Sequence, residues 1–213
     1  MIIPEASLLG LFVLAAIVLL LTPGPAVLYI VTRSMEQGRL AGLVSALGVH
    51  VGTLVHVAAA ALGVSALLVS SALAFEIVKY LGAVYLIYLG VRKLAGWDQP
   101  AGGQNIARRS LRRLFGQGVV VNVLNPKTAL FFLAFLPQFV DVTRGAVGFQ
   151  ILVLGLIFVA LGVISDGLYA LVAGTAGAWI KRDGRLLRVE RYVSGGVFVG
   201  LGVTAALAGN GRK

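Results

Sequence analysis

Two short runs pair helix-breaking residues with hydrogen-bonding ones, a combination suited to holding a small ion: Thr22-Pro23-Gly24-Pro25 and Asn122-Val123-Leu124-Asn125-Pro126-Lys127. Two prolines and a glycine cannot continue a helix without losing hydrogen bonds and bending it. In hydrocarbon the freed carbonyls need partners, so such a break survives only where protein or water supplies them. The first run also reads as a new helix start, with Thr22 as N-cap and Pro23 at the first helical position. A half-helix start carries partial positive charge and could hold a carboxylate. In the second run Asn125 suits the N-cap, Pro126 the first position, and Lys127 adds a full charge. Asn122, three residues before Asn125, shares its face if the helix persists there. Two starts at similar depth could converge on one anion. The plainer readings are a packing kink for the first run and a lysine reaching for the interface in the second.

Other ionisable residues lie in apolar surroundings. Asp166, within Val163-Ile164-Ser165-Asp166-Gly167, is costly in a membrane and faces a cavity or a partner unless it sits at the interface. It could pair with Lys127, meet a substrate ammonium or carry a proton. Glu76 and Lys79 stand three apart and suit a local ion pair, Lys79 being the deeper and the better transport candidate. His50 and His56 are six apart, whereas two metal ligands on one helix face favour four, so they point to different faces. A lone histidine in a span usually bonds a neighbouring helix, although His56 could also serve a proton relay.

These residues must be positioned by membrane helices. The chain is 59% hydrophobic and 12% charged, with a mean hydropathy of +0.96. A soluble domain is about 25% charged, so too little polar surface exists here to cover a water-soluble globule. There is no cysteine, which excludes disulfides and thiolate metal sites. The formal charge of +10 reads as loop topology and gives no call for a nucleic-acid partner. A span needs roughly 20 apolar residues, and six stretches supply them: Leu8–Val31, Ala41–Ser70, Ala72–Leu94, Gly116–Phe139, Val147–Ala173 and Val193–Leu207. The first stretch is longer than a signal peptide's apolar core and lacks a basic segment before it, so it is expected to remain as a helix.

Basic residues sort by loop. Arg33 and Arg39 follow the first stretch; Arg92, Lys93, Arg108, Arg109, Arg112 and Arg113 flank the connection after the third; Lys181, Arg182, Arg185, Arg188 and Arg191 follow the fifth. With six spans these share one side, which the positive-inside rule makes cytoplasmic, leaving both termini outside. The expectation is therefore an all-α membrane protein: a three-helix repeat in 1–94, a basic cytoplasmic loop in 95–115 and a second three-helix repeat in 116–213, inverted relative to the first. Leu21-Thr22-Pro23-Gly24-Pro25 and Leu136-Pro137-Gln138-Phe139 end apolar runs in the two halves. The 28 glycines are nearly twice the usual share of about 7%. Gly38 with Gly42, Gly48 with Gly52, and Gly196 with Gly200 have the spacing that lets helix backbones approach closely.

The sequence resembles the LysE/RhtB family of bacterial amino-acid exporters along nearly its whole length. The likeness rests on Pro23-Gly24-Pro25, on Phe75-Glu76-x-x-Lys79-Tyr80-x-Gly82-x-x-Tyr85-Leu86-x-x-Leu89-Gly90, on Phe115-x-x-Gly118-x-x-x-Asn122-x-x-Asn125-Pro126-Lys127, and on Phe135-x-Pro137-Gln138-Phe139. The resemblance implies efflux of amino acids such as homoserine, threonine, lysine or leucine across the bacterial inner membrane, driven by the proton gradient. It maps shared machinery onto Pro23, Gly24, Pro25, Lys79, Asn122, Asn125, Pro126, Lys127, Pro137 and Gln138.

The reading is a secondary exporter of amino acids or related metabolites, with protons as coupling ion, no cofactor, surrounding lipid and possible self-association. Its pathway residues are Thr22, Pro23, Gly24, Pro25, Lys79, Asn122, Asn125, Pro126, Lys127, Gln138 and Asp166. A metal or cation exporter is the alternative, although the spans offer few oxygen ligands for a hard cation. A membrane enzyme or assembly factor finds no nucleophile–base arrangement in its favour.

Overall fold

The computed structural model describes residues 6–64 and 110–180, with scattered positions between 77 and 95 and between 192 and 206. Among the described residues there is no strand. The helices are α1 (Ala6–Leu21), α2 (Pro25–Gln37), α3 (Arg39–Ala59), α4 (Leu111–Val123), α5 (Pro126–Leu130) and α6 (Val147–Ile180). One π turn, Ala60–Val64, prolongs α3; a π turn, Phe131–Phe135, and a 3-10 turn, Leu136–Phe139, prolong α5.

Arg39–Gly63 and Val147–Thr175 are each long and apolar enough to cross a membrane, and the pairs α1 with α2 and α4 with α5 qualify as broken spans bent by 49° and 47°. Four of the expected spans thus have counterparts. The expected third and sixth spans lie mostly outside the described residues, as do Glu76, Lys79 and the loop from 96 to 109. The described positions there are helical, and Ala83 and Ala206 reach the core. The fourth stretch begins at Leu111 rather than Gly116, which carries Arg112 and Arg113 into the first turn of α4.

Both bends follow from missing amide protons. In a continuous helix Pro23 would donate to Leu19 O and Pro25 to Leu21 O, and neither can. The helix stops at Leu21 and restarts with Gly24 as N-cap and Pro25 at the first position. This corrects the expected register, in which Thr22 was the cap. The Thr22 hydroxyl instead donates back to Val18 O at 2.7 Å, the usual choice of a threonine inside a helix. In the second span Pro126 cannot donate to Asn122 O, and α4 stops at Val123. Asn125 is the N-cap there as expected, its side-chain oxygen accepting from Lys127 N at 3.1 Å.

Small residues set how closely the helices lie. A Cβ on Gly48 would sit 2.2 Å from Phe115 O, one on Gly52 2.8 Å from Val119 O, and one on Gly118 2.6 Å from Ser45 O. These three glycines seat α3 against α4 backbone to backbone, as the Gly48 and Gly52 spacing predicts. Gly42, likewise predicted, faces Ala170 of α6, its Cβ position 3.0 Å from the alanine methyl. Phe12, Phe131, Phe132, Phe135 and Phe158 form an apolar core between α1, the π turn after α5 and α6. The Phe131 and Phe158 rings lie 4.6 Å apart, a distance at which aromatic pairs add to area burial. This core anchors the helices below the two bends.

Candidate functional site

The two bends meet through Lys127. This residue, only 7% exposed, sends its ammonium to the end of α1. Nζ donates to Leu19 O at 2.7 Å and to Thr22 O at 2.5 Å. Leu19 O is the carbonyl that Pro23 leaves without its helical donor. The lysine thus replaces a lost backbone proton and neutralises the negative end of the helix dipole. It does not reach for the interface. Gly24 makes room: a Cβ there would stand 3.0 Å from Lys127 Cδ. The other carbonyl freed by proline, Leu21 O, accepts from the Tyr169 hydroxyl at 2.9 Å.

At the second bend Asn122 is the hub. Its amide donates to Val49 O at 2.9 Å and to Thr53 Oγ1 at 2.8 Å, tying α4 to α3. Its Oδ1 accepts from Thr128 Oγ1 at 2.9 Å and from Asn125 Nδ2 at 3.3 Å. The two asparagines meet as expected, although the helix does not persist between them. The freed Asn122 O accepts from Asn125 N at 3.0 Å and from His56 Nε2 at 2.9 Å. His56, stacked on Phe132, therefore does the structural work a lone membrane histidine usually does.

Asp166 is buried at 4% exposure. Its Oδ2 lies 3.3 Å from His50 Nε2. The contact is close enough for an ion pair but is not aligned as a hydrogen bond: both ring nitrogens of His50 and Asp166 Oδ1 are buried without hydrogen-bond partners among the described residues. Buried polar atoms in that condition are uncommon and call for an account. His50 and His56 do point to different faces of α3, one toward α6 and one toward α4.

Between these groups lies a cavity of about 40 Å³, lined by Gly24, Val49, His50, Thr53, Asn122, Asn125, Lys127, Thr128, Phe158 and Asp166, among others. A water needs roughly 10–15 Å³ in this measure, so the space suits a few waters. Gly24, Ala26 and Val27 bring the start of α2 to the same wall. Among the described residues no side chain caps that start, and the amides of a first helical turn have no partner within the helix.

Of the expected pathway residues, Gly24, Asn122, Asn125, Lys127 and Asp166 line this cavity. Thr22 contributes its carbonyl to Lys127, while Pro23, Pro25 and Pro126 shape the bends. Gln138 lies apart, its amide donating to Ala134 O at 2.8 Å in the turn after α5. Lys79 is outside the described residues. His50 was not among the expected pathway residues. A second, open groove of about 550 Å³ runs between α2 and α4, lined by Tyr29, Arg33, Arg113, Gly116, Gln117, Val120 and Val121. The Arg33 guanidinium is held there by Glu36 at 3.1 Å and lies 5.5 Å from the Tyr29 ring centroid.

The LysE type translocator family matches this chain over residues 17–209. A homoserine/homoserine lactone efflux protein of Salmonella typhimurium is 30% identical over 201 residues, covering 92% of this chain and 95% of that one. An uncharacterized membrane protein of Pseudomonas aeruginosa is 33% identical over 202 residues, covering 92% and 94%. Another, from Vibrio cholerae, is 30% identical over 197 residues, covering 92% and 95%. No solved structure matches the chain.

Proposed function

Because the chain belongs to the LysE type translocator family, we propose that it is a secondary transporter exporting amino acids or related small metabolites across the bacterial inner membrane, by proton antiport. The observation that carries this reading is the cavity at the two bends. It holds a buried ammonium, a buried carboxylate and an uncapped helix start, the groups needed to grip both ends of a zwitterion. The substrate carboxylate meets Lys127 and the α2 amides that begin at Gly24; its ammonium meets Asp166.

At about 40 Å³ the cavity is too small for an amino acid, so this is an occluded arrangement that opens by movement. Six spans in two inverted repeats, with both termini outside, give that movement its form: one half rocks against the other around the site. The paired bends of 49° and 47° support the repeat. On this reading the groove with Arg33 and Arg113 faces the cytoplasm and gathers anionic groups.

Counterflow tests the proposal. Protein reconstituted in liposomes preloaded with unlabelled homoserine should accumulate labelled homoserine, and Lys127→Ala and Asp166→Asn should each reduce accumulation to background. Wild-type rates in both variants would remove the assigned roles. Failure of the wild-type protein to exchange any of a panel of amino acids would remove the function.

A further inference from the structure

The exporter reading uses Asp166 and leaves His50 without a task. We infer that His50 holds the coupling proton, and that it makes proton and substrate ammonium exclude one another at the Asp166 carboxylate; this rests on the exporter reading. Four observations carry the inference. His50 Nε2 and Asp166 Oδ2 are 3.3 Å apart across α3 and α6. Both side chains are more than nine-tenths buried. Neither ring nitrogen, nor Asp166 Oδ1, has a hydrogen-bond partner among the described residues. All of these groups face a cavity that can hold water.

The packing is specific to a ring at this place. A Cβ on Gly162 would lie 2.7 Å from His50 Cε1. Gly162 and Asp166 are four apart and so on one face of α6. The glycine leaves the slot and the carboxylate meets the ring seated in it.

Among the described residues the charges around the pair are few. Of the cavity-lining groups, His50, Asp166 and Lys127 are ionisable. Lys127, from α5, is engaged with α1 carbonyls. From α4 the facing group is the neutral Asn122, and from the start of α2 it is backbone. Arg33 and Glu36 on α2 pair with each other. Arg39 lies against Gly174, twelve positions along α6 from Gly162, and His56 is turned toward Asn122 O.

One carboxylate then serves two cations in turn. A proton entering from outside water adds to imidazole Nε2, and the imidazolium pairs with Asp166. When the protein opens inward, the arriving substrate ammonium takes the carboxylate, and the imidazolium, having lost its counter-charge, releases its proton to cytoplasmic water. No covalent bond changes other than N–H, and one proton is exchanged for each substrate.

The test compares two transport modes in proteoliposomes loaded with labelled homoserine. Acidifying the outside should speed wild-type efflux severalfold. His50→Gln keeps an amide donor beside Asp166 but cannot hold a proton. It should still exchange homoserine at equal pH, while its efflux should ignore the outside pH. Retained acid stimulation in His50→Gln would overturn the inference, and so would loss of exchange together with stimulation. A second measurement needs no variant: homoserine added to purified wild-type protein in weak buffer should release protons. Binding without proton release would overturn the inference and leave the exporter reading standing. No exchange in the wild type would instead count against that reading.

Discussion

The two bent spans turn by nearly the same angle, 49° and 47°, but they satisfy their interrupted backbones in different ways. The α4–α5 bend is closed mainly by its own residues. Asn125 caps the new helix and its amide returns to Asn122 O, with His56 assisting. The α1–α2 bend depends on distant parts of the chain. Its freed carbonyls are held by Lys127 and Tyr169, and its new helix start carries no side-chain cap. A bend closed mainly within its own segment depends less on its neighbours. A bend completed by another helix's ammonium changes its bonding whenever that ammonium moves. On the proposed reading, the first bend changes its bonding when a ligand draws Lys127 away, and the second bend does not.

Three substitutions test this contrast. Lys127→Met should have the largest effect, because it removes the ammonium from Thr22 O and one of the two donors, beside Thr22 N, from Leu19 O. A buried carbonyl that loses its donor costs about 1–3 kcal/mol, and thermal unfolding of the purified variant in detergent should show a clearly lowered midpoint. Asn125→Ala removes a local cap, typically worth about 1 kcal/mol, and should lower the midpoint by less. A loss equal to that of Lys127→Met would erase the distinction between the bends. Tyr169→Phe should be the mildest. The bond it removes lies on the exposed surface of the bundle, and a single hydrogen bond contributes roughly 0.5–1.5 kcal/mol net. Transport by this variant should match the wild type, and a strong transport defect would assign the Leu21 carbonyl a larger part.

The sequence disclosed what local chemistry controls. Pro23, Pro25 and Pro126 lack amide protons wherever the rest of the chain lies, so both breaks were readable, as was the cap at Asn125. The register of the first break was misread by two residues because Thr22 is a good cap in isolation; within the fold its hydroxyl prefers Val18 O. The partners of Lys127 were not legible, since they lie 108 and 105 residues away. Nor was His50. A single histidine in an apolar helix has no spacing signal of its own. The available trace was on another helix, where Gly162 precedes Asp166 by one turn.

Gly38 has a further consequence. It alone separates α2 from α3, and its φ of +91° lies in the region that glycine adopts without strain. At its other end α2 begins at Gly24, after the break. The helix is therefore flanked by a glycine at each tip. The hydroxyls of Tyr29 on Leu114 O and Ser34 on Ala170 O pin its shaft to α4 and α6. Any tilt of this helix would break those two bonds and disturb the packing of Ala26 and Ile30 against Ala46, Val49 and Ala170.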